Sequence, residues 1–118
     1  MTQTNQIMGL LEAGLKAEGL RQKLISNNVA NMETPGYRRL DVKFEELLEK
    51  NLNSKRNVDL NDVSPQTYRP ESTPVAPNGN DVSWEHEVGK MVKNSLRHKT
   101  FVRILNKKYQ QMDMAIKI

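Results

Sequence analysis

The feature that most restricts this chain is the run from Trp84 to Ile118. Trp84, Val88, Met91, Ser95, His98, Val102, Leu105, Tyr109, Met112 and Ile116 recur at alternating gaps of four and three. That is the heptad of a helix packed along one face, and a strand of period two cannot produce it. No proline interrupts the run, and its one glycine is Gly89. At 1.5 Å per residue such a helix is a rod of roughly 50 Å. Asn80, Asp81 and Ser83 are the candidate caps at its start.

The other end of the chain carries a matching pattern. Leu10, Ala13, Ala17, Leu20 and Leu24 repeat the same gaps, and Asn27 and Asn31 continue them in register. Leu11, Leu15 and Ile25 widen the apolar face, and Glu12 with Lys16 forms a favourable i,i+4 pair. The spacing predicts a helix over about residues 7–31. Gly9, Gly14 and Gly19 each cost roughly 1 kcal/mol in an isolated helix. They point to close approach by neighbours or to a helix completed on contact.

Between the two lie weaker signals. Residues 40–52, LDVKFEELLEKNL, read as a short helix capped by Asp41, with Phe44, Leu47, Leu48 and Leu52 on one face. Residues 53–80 hold four of the five prolines and many Asn, Ser and Thr. Such a tract excludes a long helix or a central strand and reads as an irregular or disordered loop. The chain therefore divides into an N-terminal helix (1–31), a turn with a short helix (32–52), a Pro/Asn-rich loop (53–80) and a C-terminal helix (81–118). The fold class is mainly α, with the two terminal helices as an antiparallel hairpin or coiled coil. Two stripes of equal period invite each other.

Composition limits what such a hairpin can bury. Only 36% of the 118 residues are hydrophobic and mean hydropathy is −0.72. That predicts a marginal core, weak stability alone, and burial completed by partners. No run approaches the roughly 18 apolar residues of a membrane-spanning helix. The N-terminus has no basic stretch ahead of its apolar residues, unlike a secretory signal. There are no cysteines.

Site chemistry is sparse. His86 and His98 are the only histidines, at a separation no metal motif uses. Glu85, His86 and Glu87 are expected on the surface at a helix start, and Glu45, Glu46 and Glu49 on a solvated face. The residues supply no nucleophile–base set, no phosphate loop and no cofactor motif, so neither catalysis nor a cofactor is expected. Lys90, Lys93, Arg97, Lys99, Arg103, Lys107 and Lys108 give the last helix a basic surface. They come without a stacking set of aromatics, so a basic helical nucleic-acid-binding protein is the lesser alternative and no nucleic acid is expected.

The most specific stretch is SNNVANMETPGYRR, Ser26 to Arg39. Pro35 presets φ, Gly36 supplies positive φ, and the residue before proline stays extended, so Thr34–Tyr37 suits a type II turn. The stretch is similar to the Ala-Asn-x-x-Thr-Pro-Gly-Tyr motif of the flagellar rod, hook and hook-associated axial proteins. Ala30, Asn31, Thr34, Pro35, Gly36 and Tyr37 occupy every fixed position. Length, the NGNDVSWEHEV stretch and the closing ILNKKYQQMDMAIKI resemble the short proximal rod subunits, with a FlgC-like subunit as the alternative. The resemblance implies a structural protein in the periplasmic rod of the basal body. It implies export by the flagellar type III apparatus without a cleaved signal, helical self-assembly through the terminal helices, and no membrane insertion. The implied partners are other rod subunits (FlgC and the distal rod proteins), the FliE adaptor and the MS ring. The packing and assembly residues expected are Leu10, Ala13, Ala17, Leu20, Leu24 and Asn27 on the first helix. On the last they are Trp84, Val88, Met91, Val102, Leu105, Tyr109, Met112 and Ile116. Tyr37 is expected as an anchor, and Asn27, Asn28 and Asn31 as amides that penalise wrong registers.

Overall fold

The computed structural model describes residues 2–53 and 63–117, and the side chains of 6–53 and 63–117. Helix α1 runs Thr2–Ala30, strand β1 Asp41–Lys43, helix α2 Glu45–Asn53, strand β2 Gln66–Tyr68 and helix α3 Trp84–Ile116. The body is elongated, 64 × 31 × 15 Å. The chain is mainly helical, and α1 and α3 lie against each other. Residues 54–62 of the Pro/Asn-rich loop lie outside the described residues. Its later part is irregular apart from β2, which pairs antiparallel with β1, Val42 opposite Thr67.

Local chemistry explains the boundaries. Ser83, in extended conformation, accepts from the His86 N–H and caps α3. Lys117 closes its far end, donating its N–H to Asp113 O at 3.2 Å. The short helix begins later than expected. Asp41 is not its cap but lies in β1. There it accepts from Val42 N at 2.7 Å and from Arg39 Nη1 at 3.1 Å. The first α2 hydrogen bond runs from Leu48 N to Phe44 O, and Glu45 and Glu46 occupy the positive end of its dipole. Asp is disfavoured within strands, but the charged partners here outweigh that preference.

The core is small and sits on one side of α1. Ala13, Ala17 and Leu24 pack with Val42, Phe44 and Val63, and Leu20, Leu40, Leu47 and Leu48 close around them. Ala17 is fully buried. The apolar stripe of α1 is thus covered by the β hairpin and α2, not by α3.

The helix pair uses the neighbouring stripe. Gly14 faces Phe101, whose ring lies 2.9 Å from where a Cβ on Gly14 would stand. Glu18 meets Asn94 and Arg97, and Asn28 meets Glu87. One antiparallel register accounts for all these contacts. Leu11 and Ile25 share the same heptad positions and are buried. On α3 the contact set is Glu87, Asn94, Arg97 and Phe101. The expected apolar set, Val88, Ser95, His98 and Val102, lies one residue on from it. One residue is about 100° around a helix.

The mutual burial of two apolar stripes is therefore corrected. The terminal helices do pair, but through a stripe rich in polar groups. The reason is the cost of stranded charge. Rotating α3 to bury its apolar stripe would take Asn94 and Arg97 away from buried Glu18 and Glu87 away from buried Arg39, leaving them only Arg21 and Asp41, and breaking a buried pair costs about 3–5 kcal/mol. No buried side-chain nitrogen or oxygen among the described residues lacks a partner.

Candidate functional site

Two features are candidates for function: a lock between two loops at one end of the helix pair, and the bare face of α3. The lock starts from the Thr34–Tyr37 turn. Tyr37 N donates to Thr34 O at 3.3 Å, and Gly36 has φ +73°. A second turn faces it. Gly79 N donates to Ala76 O at 2.8 Å, Ala76 N to Asn80 O at 2.8 Å, and Gly79 has φ +86°. That is a tight turn closed by a glycine bulge. Gly36 N donates to Asn78 O at 2.9 Å, and a Cβ on Gly79 would lie 3.3 Å from Gly36 Cα. The two glycines let the two backbones touch.

Side chains from the second loop finish the lock. Buried Asn80 donates through Nδ2 to Asn31 O at 2.9 Å and Thr34 O at 2.8 Å, taking second bonds on carbonyls that already accept from Thr34 N and Tyr37 N. Its Oδ1 accepts from Val82 N at 2.8 Å. Asp81 accepts from Arg39 N at 2.6 Å, Arg38 Nε at 3.2 Å and Thr73 Oγ1 at 3.3 Å.

Beneath the lock, Asn28 imitates a backbone partner. It donates to Leu40 O at 2.9 Å and accepts from Leu40 N at 2.9 Å. Its Oδ1 also accepts from the Tyr37 hydroxyl at 3.0 Å, and its Nδ2 reaches Glu87 Oε2 at 3.3 Å. Tyr37 is half-buried and accepts from Asn27 Nδ2 at 3.2 Å. Glu87, expected on the surface, is 0% exposed and accepts from Arg39 Nε at 2.7 Å. Glu18 accepts from Arg21 Nη1 at 2.6 Å, Arg97 Nε at 2.9 Å and Asn94 Nδ2 at 2.8 Å. Arg21 also pairs with Glu45.

A cleft of about 380 Å³ opens between these groups, with Arg21, Arg39, Asp41, Glu45, Lys90 and Arg97 on its walls. Its cations are already engaged by carboxylates of this chain. Burial alone would raise the Asp41 carboxyl. The Val42 N–H, Arg39 and Lys90 instead hold it below the ordinary aspartate value. Burial likewise works to raise Glu45, and the hydrogen bond from Arg21 brings it below the usual glutamate value. Burial pushes the Tyr37 hydroxyl up. Among the described residues no group of three or more His, Cys, Asp or Glu could hold a metal ion. The cleft offers a balanced charge network and no free nucleophile or base.

The residues singled out in the sequence fall into three sets. Asn31 and Tyr37 are half-buried, while Ala30, Thr34, Pro35 and Gly36 line the outer side of the lock. Ala13, Ala17 and Leu24 are buried, Leu10 and Leu20 half-buried, and Asn27 exposed. On α3, Val102 and Leu105 are half-buried, whereas Trp84, Val88, Met91, Tyr109, Met112 and Ile116 are exposed. Trp84 reaches 53% and Ile116 81%. Lys99, Val102, Arg103 and Lys107 line an open hollow of about 670 Å³ on the same helix.

Sequence reasoning missed Glu18, Arg39, Gly79, Glu87 and Asn94, and it read Asn80 and Asp81 only as caps. One signal was present. Glu18, Asn28, Glu87 and Asn94 each stand one residue on from or before a heptad position, Ala17, Asn27, Val88 and Ser95, and so beside the predicted stripe.

Comparison with known proteins adds an independent line. A family model described as "Flagella basal body rod protein" matches residues 10–38, which span most of α1 and the first loop of the lock. The chain is 29% identical over 115 residues to the flagellar basal body rod protein FlgB of Bacillus subtilis, covering 90% of this chain and 89% of that protein. It is 26% identical over 124 residues to FlgB of Aeromonas hydrophila, covering 96% and 94%. It is also 26% identical over 116 residues to FlgB of Borreliella burgdorferi, covering 83% and 86%.

Proposed function

We propose that this chain is a flagellar basal body rod protein like the relatives it resembles, and that it polymerises helically in the proximal rod through the faces its terminal helices leave bare. It is a structural rod component rather than an enzyme, and as such it associates with other rod subunits. One observation carries the assembly reading. Helix α3 is already fastened to α1, yet most of its apolar stripe, Trp84, Val88, Met91, Tyr109, Met112 and Ile116, stays exposed. Monomers rarely leave so long an apolar face uncovered.

No helix among the described residues is long and apolar enough to cross a membrane. A position in the periplasmic part of the rod, export through the flagellar type III apparatus without a cleaved signal, and contacts with FlgC, the distal rod proteins, FliE and the MS ring complete the proposal. The family resemblance supports these points.

The test is a strain lacking this gene, complemented with variants. The unaltered chain restores rods in electron micrographs and restores swimming. Met91→Glu with Met112→Glu, on the bare stripe, abolishes both while the purified chain keeps its circular dichroism spectrum. Normal rods and swimming in that double variant would sink the reading.

A further inference from the structure

The bare surface of α3 is wider than its heptad stripe. Val92 and Leu96 also face outward, Leu96 at 66% exposure. Lys99 and Arg103 follow on the same ridge, both exposed. The row therefore reads apolar, apolar, cation, cation from the lock end outward, at helical gaps of four, three and four. Trp84–Ile118 holds eight of the chain's eighteen Lys and Arg but only three of its fourteen Asp and Glu. The charge of the molecule is thus segregated, with the excess of cations on this helix.

Helix α2 carries the complementary row. Its inner side, Leu47 and Leu48, packs on the core. Leu52, at the edge of that side, is 57% exposed, and Glu49 and Glu46 beyond it are both exposed. Among the described residues Glu46 pairs with Lys43, at a loose 3.8 Å. Read backward from Leu52, apolar and acid positions fall at gaps of three and three, against three and four from Leu96 to Arg103. An antiparallel meeting sets Leu52 on Leu96, Glu49 on Lys99 and Glu46 on Arg103. Within one chain both rows stay exposed, so each is open to a second copy.

We infer that the Val92–Leu96–Lys99–Arg103 ridge of α3 docks on the Leu52–Glu49–Glu46 face of α2 in a second copy of this chain. The inference rests on the self-assembly reading above and names one of its contacts. The two patches differ, so the contact is heterologous. It repeats from copy to copy as an open helical array instead of closing as a two-fold dimer. Opposed charges around a small apolar centre set register and partner choice more than raw affinity.

The absence of native cysteine allows a direct test in complemented cells. A chain carrying Glu49→Cys and Lys99→Cys together is expected to give a ladder of disulfide-linked oligomers on mild oxidation. Either substitution alone gives no ladder. Separately, Glu46→Lys with Glu49→Lys is expected to lower the swimming fraction at least tenfold, and adding Lys99→Glu with Arg103→Glu restores it. Swimming cells whose double-cysteine chain yields no ladder would overturn the contact and leave the rod role standing. So would normal swimming of the Glu46→Lys, Glu49→Lys chain. A single shifted band containing a different protein in place of a ladder would assign the ridge to another partner and also overturn it.

Discussion

Helices α1 and α3 carry the same apolar period and meet opposite fates. The stripe of α1 disappears under the hairpin and α2, with Ala17 fully buried. The stripe of α3 stays largely in solvent although α3 itself is anchored. The difference teaches that periodicity says which face of a helix is apolar and not what covers it. Cover is decided by neighbours, and here the neighbours were chosen by charge. Glu18, Asn28 and Arg39 draw α3 onto its polar side, so its apolar side remains for other molecules.

The sharpest way to break that contrast is to remove the charge that selects the polar side. Glu87→Ala leaves Arg39 buried without its main carboxylate partner, and should cost about 3–5 kcal/mol in urea unfolding. A loss under about 0.5 kcal/mol would mean that the ion pair does not orient α3.

The contrast itself is tested by paired truncations. Leu24→Ala, on the covered stripe, should cost about 2–5 kcal/mol. Met112→Ala, on the bare stripe, should change stability by less than about 0.5 kcal/mol. Equal costs by chemical denaturation would show that the two stripes are not differently covered.

The lock is probed at Gly36. Its positive φ admits a β-branched residue only with strain, so Gly36→Val should cost about 1–3 kcal/mol and stop swimming. Unchanged melting would remove the turn from the account.

The smallest effect expected is on acid. Asp41 and Glu45 sit below their ordinary values of 3.8 and 4.5. The folded chain therefore binds fewer protons than the unfolded one. This stabilisation is complete above those unfolded values and is lost as pH falls through the lower folded ones. Urea midpoints should decline from pH 6 to pH 3, less steeply in Asp41→Asn with Glu45→Gln. An identical slope in that variant would discard both groups as the cause.

Much of the fold was legible before any coordinates. Ten heptad positions without a proline could only be a helix, and Ser83 ends the loop where a cap should stand. The Thr-Pro-Gly-Tyr turn was legible because Pro35 fixes φ and Gly36 freely adopts the positive φ that the turn needs. The facing of the helices was not. Apolar patterning is local, whereas the Glu18–Asn94 and Asn28–Glu87 pairings join residues 76 and 59 positions apart. Nothing in either helix alone distinguishes a buried glutamate from a solvated one. The short strands were hidden for the same reason, since Asp41 reads as a cap until Arg39 and Lys90 are brought beside it.

The contact of Gly36 with Gly79 has a consequence for how the chain can vary. It ties together the two ends of a cassette, residues 40–75, whose described part packs Val42, Phe44 and Val63 on α1. The ends of that cassette are fixed in space whatever its contents. Lengthening it through the 54–62 region adds only about 0.6 kcal/mol of closure entropy per doubling. The helix pair on the other side of that tie would keep its register. Cassette length and helix register are then separately adjustable, and a chain of this design can gain or lose loop material without repacking its two long helices.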